Sequence, residues 1–323
     1  MILLFGAPGY MGSAFAAELD RRGMAYEPVT RADAGPSDVR ALAGLLKSRQ
    51  ASFVINAAGF TGRPNVDACE TEKSDTILGN VVFAHVLTQA CAIADIPVGH
   101  VASGCVYNGC LVREGDGWSV ETDMAGTAFR RRVEHEPDGI RGFDESAEPN
   151  FSFRHPPCSF YSGSKALAEE LIRDSDHAYL WRLRMPFDEH DGPRNYLGKL
   201  QRYAKLYDNF NSLSHRGDFV RAALDLCEHR APRGIYNLTN PGFVRTSEVT
   251  AMIGDILGVD HRFEFFTDAD EFYSQAAVAP RSNCILDTDK AAAAGAGMRP
   301  VRDALRAALE EWVPEASAAA DSR

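Results

Sequence analysis

Apolar and polar positions fall into alternating blocks along the chain. Residues 1–5 form an unbroken apolar run of strand length that ends at Gly6. From 10 to 22 the spacing turns helical, with Met11, Phe15 and Leu19 on one face. Ala25 to Val29 predicts a second strand. Pro36 to Lys47 predicts a helix, with Ser37 as its N-cap and Val39, Leu42 and Leu46 inward. Ser52 to Ile55 predicts a third strand, Val66 to Ala94 one long helix, and Pro97 to Ala102 a fourth strand. Short buried strands alternating with helices predict an α/β fold with a doubly wound parallel Rossmann-type sheet.

The rhythm stops between about 108 and 157. That stretch is rich in Gly, Pro and charge and carries the triplet Arg130, Arg131 and Arg132, so it reads as a solvated surface insertion. A helix over Tyr161 to Ile172 and a strand over Ala178 to Leu183 resume the pattern. Beyond Met185 and Pro186 the pieces shorten, with helices expected near Tyr196–Leu206, Phe219–His229, Ser247–Leu257 and Val301–Trp312. The division expected is a dinucleotide-binding domain over 1–183, with parts of 210–240 returning to it, and a smaller interleaved substrate-binding lobe over most of 184–314. A frayed tail is expected over 315–323.

Composition narrows the functional classes. Among 323 residues, 45% are hydrophobic and 24% charged, enough for a sizeable core and unlike disordered or fibrous chains. No window holds eighteen consecutive apolar residues, and the first apolar run is too short for a signal peptide, so neither a membrane partner nor export is expected. The net charge of -11 repels phosphate backbones, so no nucleic-acid partner is expected. Seven cysteines without metal spacing read as reduced thiols in a cytoplasm, and no metal site is expected.

Candidate chemistry starts at the first turn. Gly6, Gly9 and Gly12 form a GxxGxxG loop between a buried strand and an amphipathic helix, with Tyr10 and Met11 opening the helix. Such glycines permit a tight turn and close approach of backbone to a pyrophosphate, which the helix N-terminus favours. After the second strand, Arg31 precedes Asp33 where an acid would hold a ribose hydroxyl, which favours NADP. Asn56, Ala57, Ala58 and Gly59 follow the third strand, where small residues let the backbone pass beneath the cofactor.

Tyr161 and Lys165 form a YxxxK pair on one helical face. An ammonium beside the phenol is expected to lower its pKa and suit it to proton transfer with a carbonyl oxygen. Ser103 follows the strand over 97–102, at the edge where open parallel sheets bind ligands, and can hydrogen-bond such a carbonyl. The loop, Ser103, Tyr161 and Lys165 together resemble the extended short-chain dehydrogenase/reductase family over nearly the whole chain.

A narrower resemblance rests on the run from Asn56 to Glu70, Ser103–Tyr107, Phe160–Glu170, Arg184–Pro186, Pro193–Asn195, Lys199–Lys205 and Ala279–Asn283. These stretches resemble the nucleotide-rhamnose synthase epimerase/reductases, relatives of the dTDP-4-dehydrorhamnose reductases. The resemblance implies inversion of C3 and C5 of an NDP-4-keto-6-deoxyglucose and reduction of C4 with NADPH, giving an NDP-L-rhamnose-type sugar. It implies that Cys105 and Lys199 exchange the ring protons. It also implies that Arg194, Asn195, Arg281 and Asn283 line the nucleotide-sugar pocket, and Arg63 and Asn65 are further candidates there.

The segment 108–157 is longer and more charged than that family's, and His155-Pro-Pro-Cys158 is unusual, which leaves inversion at one carbon open. A plain 4-keto-sugar reductase and a non-catalytic NADP-binding regulatory subunit are the alternatives. The second has no need of the full set Ser103, Cys105, Tyr161 and Lys165. The nucleotide, and pairing of two copies through the helices near 70–94 and 161–172, stay open.

Overall fold

The fold is that of a computed structural model describing residues 1–30, 33, 38–259 and 263–315. Its core is built first from β1 (Ile2–Phe5), α1 (Tyr10–Arg21), β2 (Tyr26–Val29), α2 (Val39–Ser48) and β3 (Phe53–Asn56). A 3-10 turn over Val66–Glu70 leads into α3 (Lys73–Ile77), a π-helical turn over Leu78–Val82, α4 (Phe83–Ala94) and β4 (Val98–Ser103). The single long helix expected from Val66 is therefore broken at its start and bulged in the middle. The N-cap of α2 is Asp38, which accepts from the N–H groups of Arg40 and Ala41; Pro36 and Ser37 lie outside the described residues.

The expected solvated insertion is instead ordered. It forms β5 (Cys110–Glu114), β6 (Gly117–Glu121), α5 (Thr127–His135) and β7 (Ile140–Arg141), with the strands in the antiparallel order β6-β5-β7. Cys110, Val112, Met124 and Phe129 bury a core with Phe210 and Ile285. The sparse apolar residues of a charged segment meet partners far along the chain, which local composition does not reveal. Then come α6 (Phe160–Ile172), β8 (Ala178–Leu183), β9 (Pro186–Phe187), α7 (Tyr196–Arg202), β10 (Phe210–Asn211), β11 (Ser214–His215), α8 (Arg216–Glu228) and β12 (Gly234–Asn237). The chain ends through β13 (Val244–Arg245), α9 (Thr246–Leu257), α10 (Ala269–Gln275), α11 (Asp289–Ala293) and α12 (Val301–Glu310). The expected frayed tail lies outside the described residues, except for Glu315, which pairs with Arg202 at 2.9 Å.

The central sheet has the order β12-β8-β4-β3-β1-β2, and every pair in it is parallel. Side chains alternate across it. Ile2 and Leu4 face Phe15 and Leu19 of α1 and Phe219 of α8, whereas Leu3 and Phe5 face Leu42 and Leu46 of α2 and Leu87 of α4. Both faces are thus covered, and the order reverses beside β1, which opens a crevice at its carboxyl end. A second core around Phe187, Leu197, Val249, Ile253 and Leu305 holds the smaller lobe. The continuous helical stretch 73–94 is long and apolar enough to cross a bilayer, yet α4 is packed into the core against β1 and α2.

Gly99 admits the fully buried Trp181 beneath β4. A Cβ there would lie 1.8 Å from the indole ring, and Trp181 also stacks on Phe15 at 5.7 Å. Gly99→Ala is expected to lower stability by about 1–3 kcal/mol through overpacking. Pairing it with Trp181→Phe should recover part of that loss in urea unfolding, and strictly additive losses would contradict the packing argument.

Candidate active site

The glycine loop is tight for a steric reason. Gly6 has φ +79°, and a Cβ on it would sit 2.5 Å from the amide nitrogen of Ala58. A Cβ on Gly12 would sit 1.9 Å from the Gly6 carbonyl oxygen. The loop therefore lies directly on the Ala57–Ala58 backbone, and the first turn of α1 opens beside it. Gly9 caps α1 without a side chain, so the amides of its first turn stay available to an anion. This cradle fits a nicotinamide dinucleotide. Tyr10 is covered by the Arg216 guanidinium, 4.4 Å from its ring centroid. Arg31 lies outside the described residues. Asp33 is engaged within its own turn, accepting from the Thr30 hydroxyl at 2.6 Å and the Thr30 amide at 3.0 Å.

A buried polar chain sets the turn after β3. Asn56 Nδ2 donates to His100 Nδ1 at 2.9 Å, which leaves His100 Nε2–H to donate to Thr88 Oγ1 at 2.9 Å. Thr88 in turn donates to the Ala84 carbonyl at 2.8 Å. Every proton in the chain is thereby assigned, and Asn56 Oδ1 remains to receive the Ala58 N–H at 3.1 Å. Burial, helped by the Lys165 charge, holds His100 at a pKa of about 3, so the ring is neutral.

At the end of β4, Ser103 Oγ accepts from the amide of Cys105 at 3.2 Å, which starts a 3-10 turn over Gly104–Val106. Ser159 caps α6, placing Tyr161 and Lys165 one turn apart beneath the β4 end. The Ser103 hydroxyl acts as a hydrogen-bond partner of the Tyr161 phenol, and the Cys105 thiol lies close enough to influence it. Lys165 Nζ donates to the Val101 carbonyl at 3.2 Å. The pKa of Tyr161 is raised by burial and then by Cys105, against the expectation that Lys165 would lower it. The reason is that burial dominates and the ammonium is itself pushed down by burial and anchored on the β4 backbone. The phenol is thus kept as a proton donor.

The smaller lobe contributes cations. Arg194 donates to Thr61 Oγ1 and, at 3.2 Å, to the Gly62 carbonyl. Arg281 forms a two-pronged pair with Asp67 at 2.6 and 2.7 Å. Lys199, on α7, makes no ion pair among the described residues, and its pKa is lowered by burial, then by Arg194 and Arg281. Other candidates sit differently. Asn195 is fully buried and caps α7, donating to Asp188 and His190, so its amide is occupied by the fold and not by a ligand. Asn65 caps the 3-10 turn over 66–70. Asn283 accepts from Asn211 at 3.0 Å, and Arg63 is exposed.

Several site residues escaped the sequence reading. Asn80 sits in the π-helical turn, a feature common at functional sites. It is buried, holds both polar atoms of the Phe60 backbone at 2.8 Å, and reaches Ser164 Oγ on α6 at 3.1 Å. An asparagine inside the apolar run 77–84 was the available signal. Arg184, buried, donates to Asn211 Oδ1 at 2.6 Å and to the Ser282 carbonyl, and lowers the Tyr161 pKa. Among the described residues no cluster suits a metal ion.

Fold and glycine loop together define a chain of the extended short-chain dehydrogenase/reductase type. The chain belongs to the RmlD substrate-binding domain family, whose sequence profile matches residues 1–313. It is 31% identical over 289 residues to an Arabidopsis thaliana bifunctional dTDP-4-dehydrorhamnose 3,5-epimerase/dTDP-4-dehydrorhamnose reductase, covering 89% of this chain and 85% of that one. It is 32% identical over 304 residues to a trifunctional UDP-glucose 4,6-dehydratase/UDP-4-keto-6-deoxy-D-glucose 3,5-epimerase/UDP-4-keto-L-rhamnose-reductase of the same plant, covering 94% of this chain. The chain spans only 41% of that relative's length. The crystal structure of the UDP-rhamnose synthase of Acanthamoeba polyphaga mimivirus has a TM-score of 0.80 at 23% identity, covering 96% of this chain and 98% of that one. Reductases of this family use NADPH.

Tyr161→Phe is expected to cut ketone reduction by about 10²- to 10⁴-fold, the usual contribution of one general acid, with cofactor affinity unchanged. Near-parental turnover would remove Tyr161 from the donor role. His100 generates a second expectation. Its folded pKa of about 3 lies below the roughly 6.5 of an exposed imidazole, so the unfolded chain takes up the proton first. Stability is therefore lost as pH falls from about 6.5 toward 3. In His100→Gln the urea midpoint should fall less steeply over that window, and parallel slopes would contradict a buried neutral ring.

Proposed function

We propose that this chain is an NADPH-dependent NDP-4-keto-6-deoxyglucose 3,5-epimerase/4-reductase of the cytoplasm, making an NDP-L-rhamnose-type sugar. The reading is carried by one observation: Cys105 sits beside Ser103 and Tyr161 at the β4 end, while α7 presents Lys199, a lysine with no carboxylate partner among the described residues and with a depressed pKa. Reduction alone uses neither. The relatives that carry epimerase and reductase names support the same reading. Two copies pairing through α4 and α6 would cover the exposed Leu78, Ile93 and Leu171.

In this reading the residues divide the work. A dinucleotide held on the loop from Gly6 to Gly12 would supply the hydride for C4. Ser103 hydrogen-bonds the C4 oxygen, and Tyr161, kept protonated by burial, gives that oxygen its proton. Lys165, anchored on Val101, keeps a positive charge behind the phenol as it loses the proton. Cys105 and Lys199 take and return the protons at C3 and C5, which the C4 ketone acidifies. Arg194 and Arg281 face the anionic part of the nucleotide sugar. Asp33 is tied up by Thr30, so no free acid competes for a 2′-phosphate, which favours NADPH over NADH.

The deciding measurement is proton NMR of an NDP-4-keto-6-deoxyglucose incubated with the protein in heavy water, with and without NADPH. The parent should wash deuterium into C3 and C5, and Cys105→Ala should lose that exchange while still reducing a substrate supplied in the 4-keto-rhamnose configuration. Parental exchange in Cys105→Ala would remove the thiol from the proton transfers. A parent that reduces the ketone but exchanges neither proton would favour a plain reductase.

A further inference from the structure

The 3-10 turn over Val66–Glu70 carries two carboxylates that none of the chemistry above uses. Three residues apart, Asp67 and Glu70 project from one side of such a turn, roughly 6 Å apart along its axis. They leave in different directions. Glu70 Oε1 accepts the backbone N–H of Phe160 at 2.6 Å, at the very start of α6. This amide is in the first turn, where no intrahelical partner exists, and it directly precedes Tyr161. Asp67 receives the Arg281 guanidinium at 2.6 and 2.7 Å and the Ala279 amide at 3.1 Å. The Arg281 amide in turn donates to the Tyr273 hydroxyl at 3.0 Å. The segment 279–281 is thereby fastened across the cleft to the loop after β3. Arg194 reaches the same loop at Thr61 and Gly62.

We propose that Asp67 and Glu70 are a pair of positioning carboxylates that hold α6 and the 279–281 segment on one rigid turn, and so fix where Tyr161 stands relative to the cations of the smaller lobe. Neither touches the reacting atoms. Glu70 acts through the register of α6 and hence through the phenol. Asp67 acts through the orientation of Arg281, whose guanidinium gives two N–H groups to Asp67 and a longer contact to the Ala279 carbonyl at 3.4 Å, leaving its other donors to face an anion. The assignment rests on the reading that Tyr161 protonates the ketone and that the smaller lobe grips a nucleotide diphosphate.

The two carboxylates should separate in kinetics. Glu70→Ala should lower kcat about tenfold or more with little change in KM, since a small displacement of a catalytic group is costly. Glu70→Gln, whose amide oxygen still accepts from Phe160, should recover most of that loss. Asp67→Asn should raise KM for the nucleotide sugar, and Kd for UDP or dTDP in calorimetry, by about tenfold, with kcat within about twofold. NADPH affinity should stay constant in all three. A merely structural role would lower melting temperature and active fraction together without this split, and that result overturns the proposal.

Amide hydrogen exchange tests the same idea without turnover. Glu70→Ala should speed exchange across 158–166, and Asp67→Asn across 276–284, each leaving the other segment at the parental rate. Unchanged exchange in both segments overturns the positioning roles even in an active enzyme. If exchange responds as expected in a protein that reduces no 4-keto sugar nucleotide, the functional reading fails and the positioning turn stands.

Discussion

The arrangement depends above all on one buried ion pair. Arg182 of β8 and Glu169 of α6 are almost wholly enclosed, with Arg182 Nε donating to Glu169 at 2.9 Å. Glu169 lies one helical turn beyond Lys165 and two beyond Tyr161, so the pair anchors to the sheet the same helix face that carries those two side chains. The guanidinium is also covered by the Tyr107 ring at 5.0 Å, and Tyr107 stacks on Phe143 at 4.7 Å. Such a pair contributes little net stability against an apolar replacement, but loss of one partner strands a buried charge at a cost of about 3–5 kcal/mol. Its consequence is geometric: α6 cannot slide or rotate without breaking it.

The same network joins the inserted sheet to the core. Asn237, on the edge strand β12, donates to the Phe143 and Asp287 carbonyls and receives Arg182 at 3.4 Å, while its amide donates to Glu145 at 2.7 Å. The segment between β4 and α6 is thus held at its far end by the residues that hold the catalytic helix at its base. The insertion's large apolar groups bury in two clusters, one around Phe129 with Phe210 and Ile285, the other around Tyr107 and Phe143 beneath the Arg182 guanidinium.

Legibility in the sequence followed the range of the interactions. Strands such as Ile2–Phe5 are buried on both faces and read as unbroken apolar runs, and the GxxGxxG turn is dictated by steric contacts within a short span. The placement of Ser103 at a strand end and of Tyr161 and Lys165 on one helix follows from local pattern. Asn195, expected in the nucleotide-sugar pocket, is enclosed as the α7 cap, and Asn65 caps the 3-10 turn over 66–70 through its oxygen; a polar residue beside a helix start looks the same in sequence whether it binds a sugar or an amide. Asn80 was hidden by the π-helical turn, which shifts register within a pattern that otherwise reads as plain helix. Asp67 and Glu70 were hidden because their partners lie 214 and 90 residues away.

The direction of the pKa changes unites the chemistry. Burial disfavours the charged form of any group, so it acts with opposite sign on acids and bases. In this cleft it raises Tyr161 and lowers Lys199, holding the phenol protonated and drawing the amine toward its free base. In the proposed reaction, a proton donor for the ketone oxygen and a base for carbon-bound protons would need those two states at one pH. Neighbours then reinforce the trend where it matters: Cys105 adds to the rise at Tyr161, and Arg194 and Arg281 add to the fall at Lys199. Dehydration between two lobes accounts for both proton-transfer states without a separate device for each.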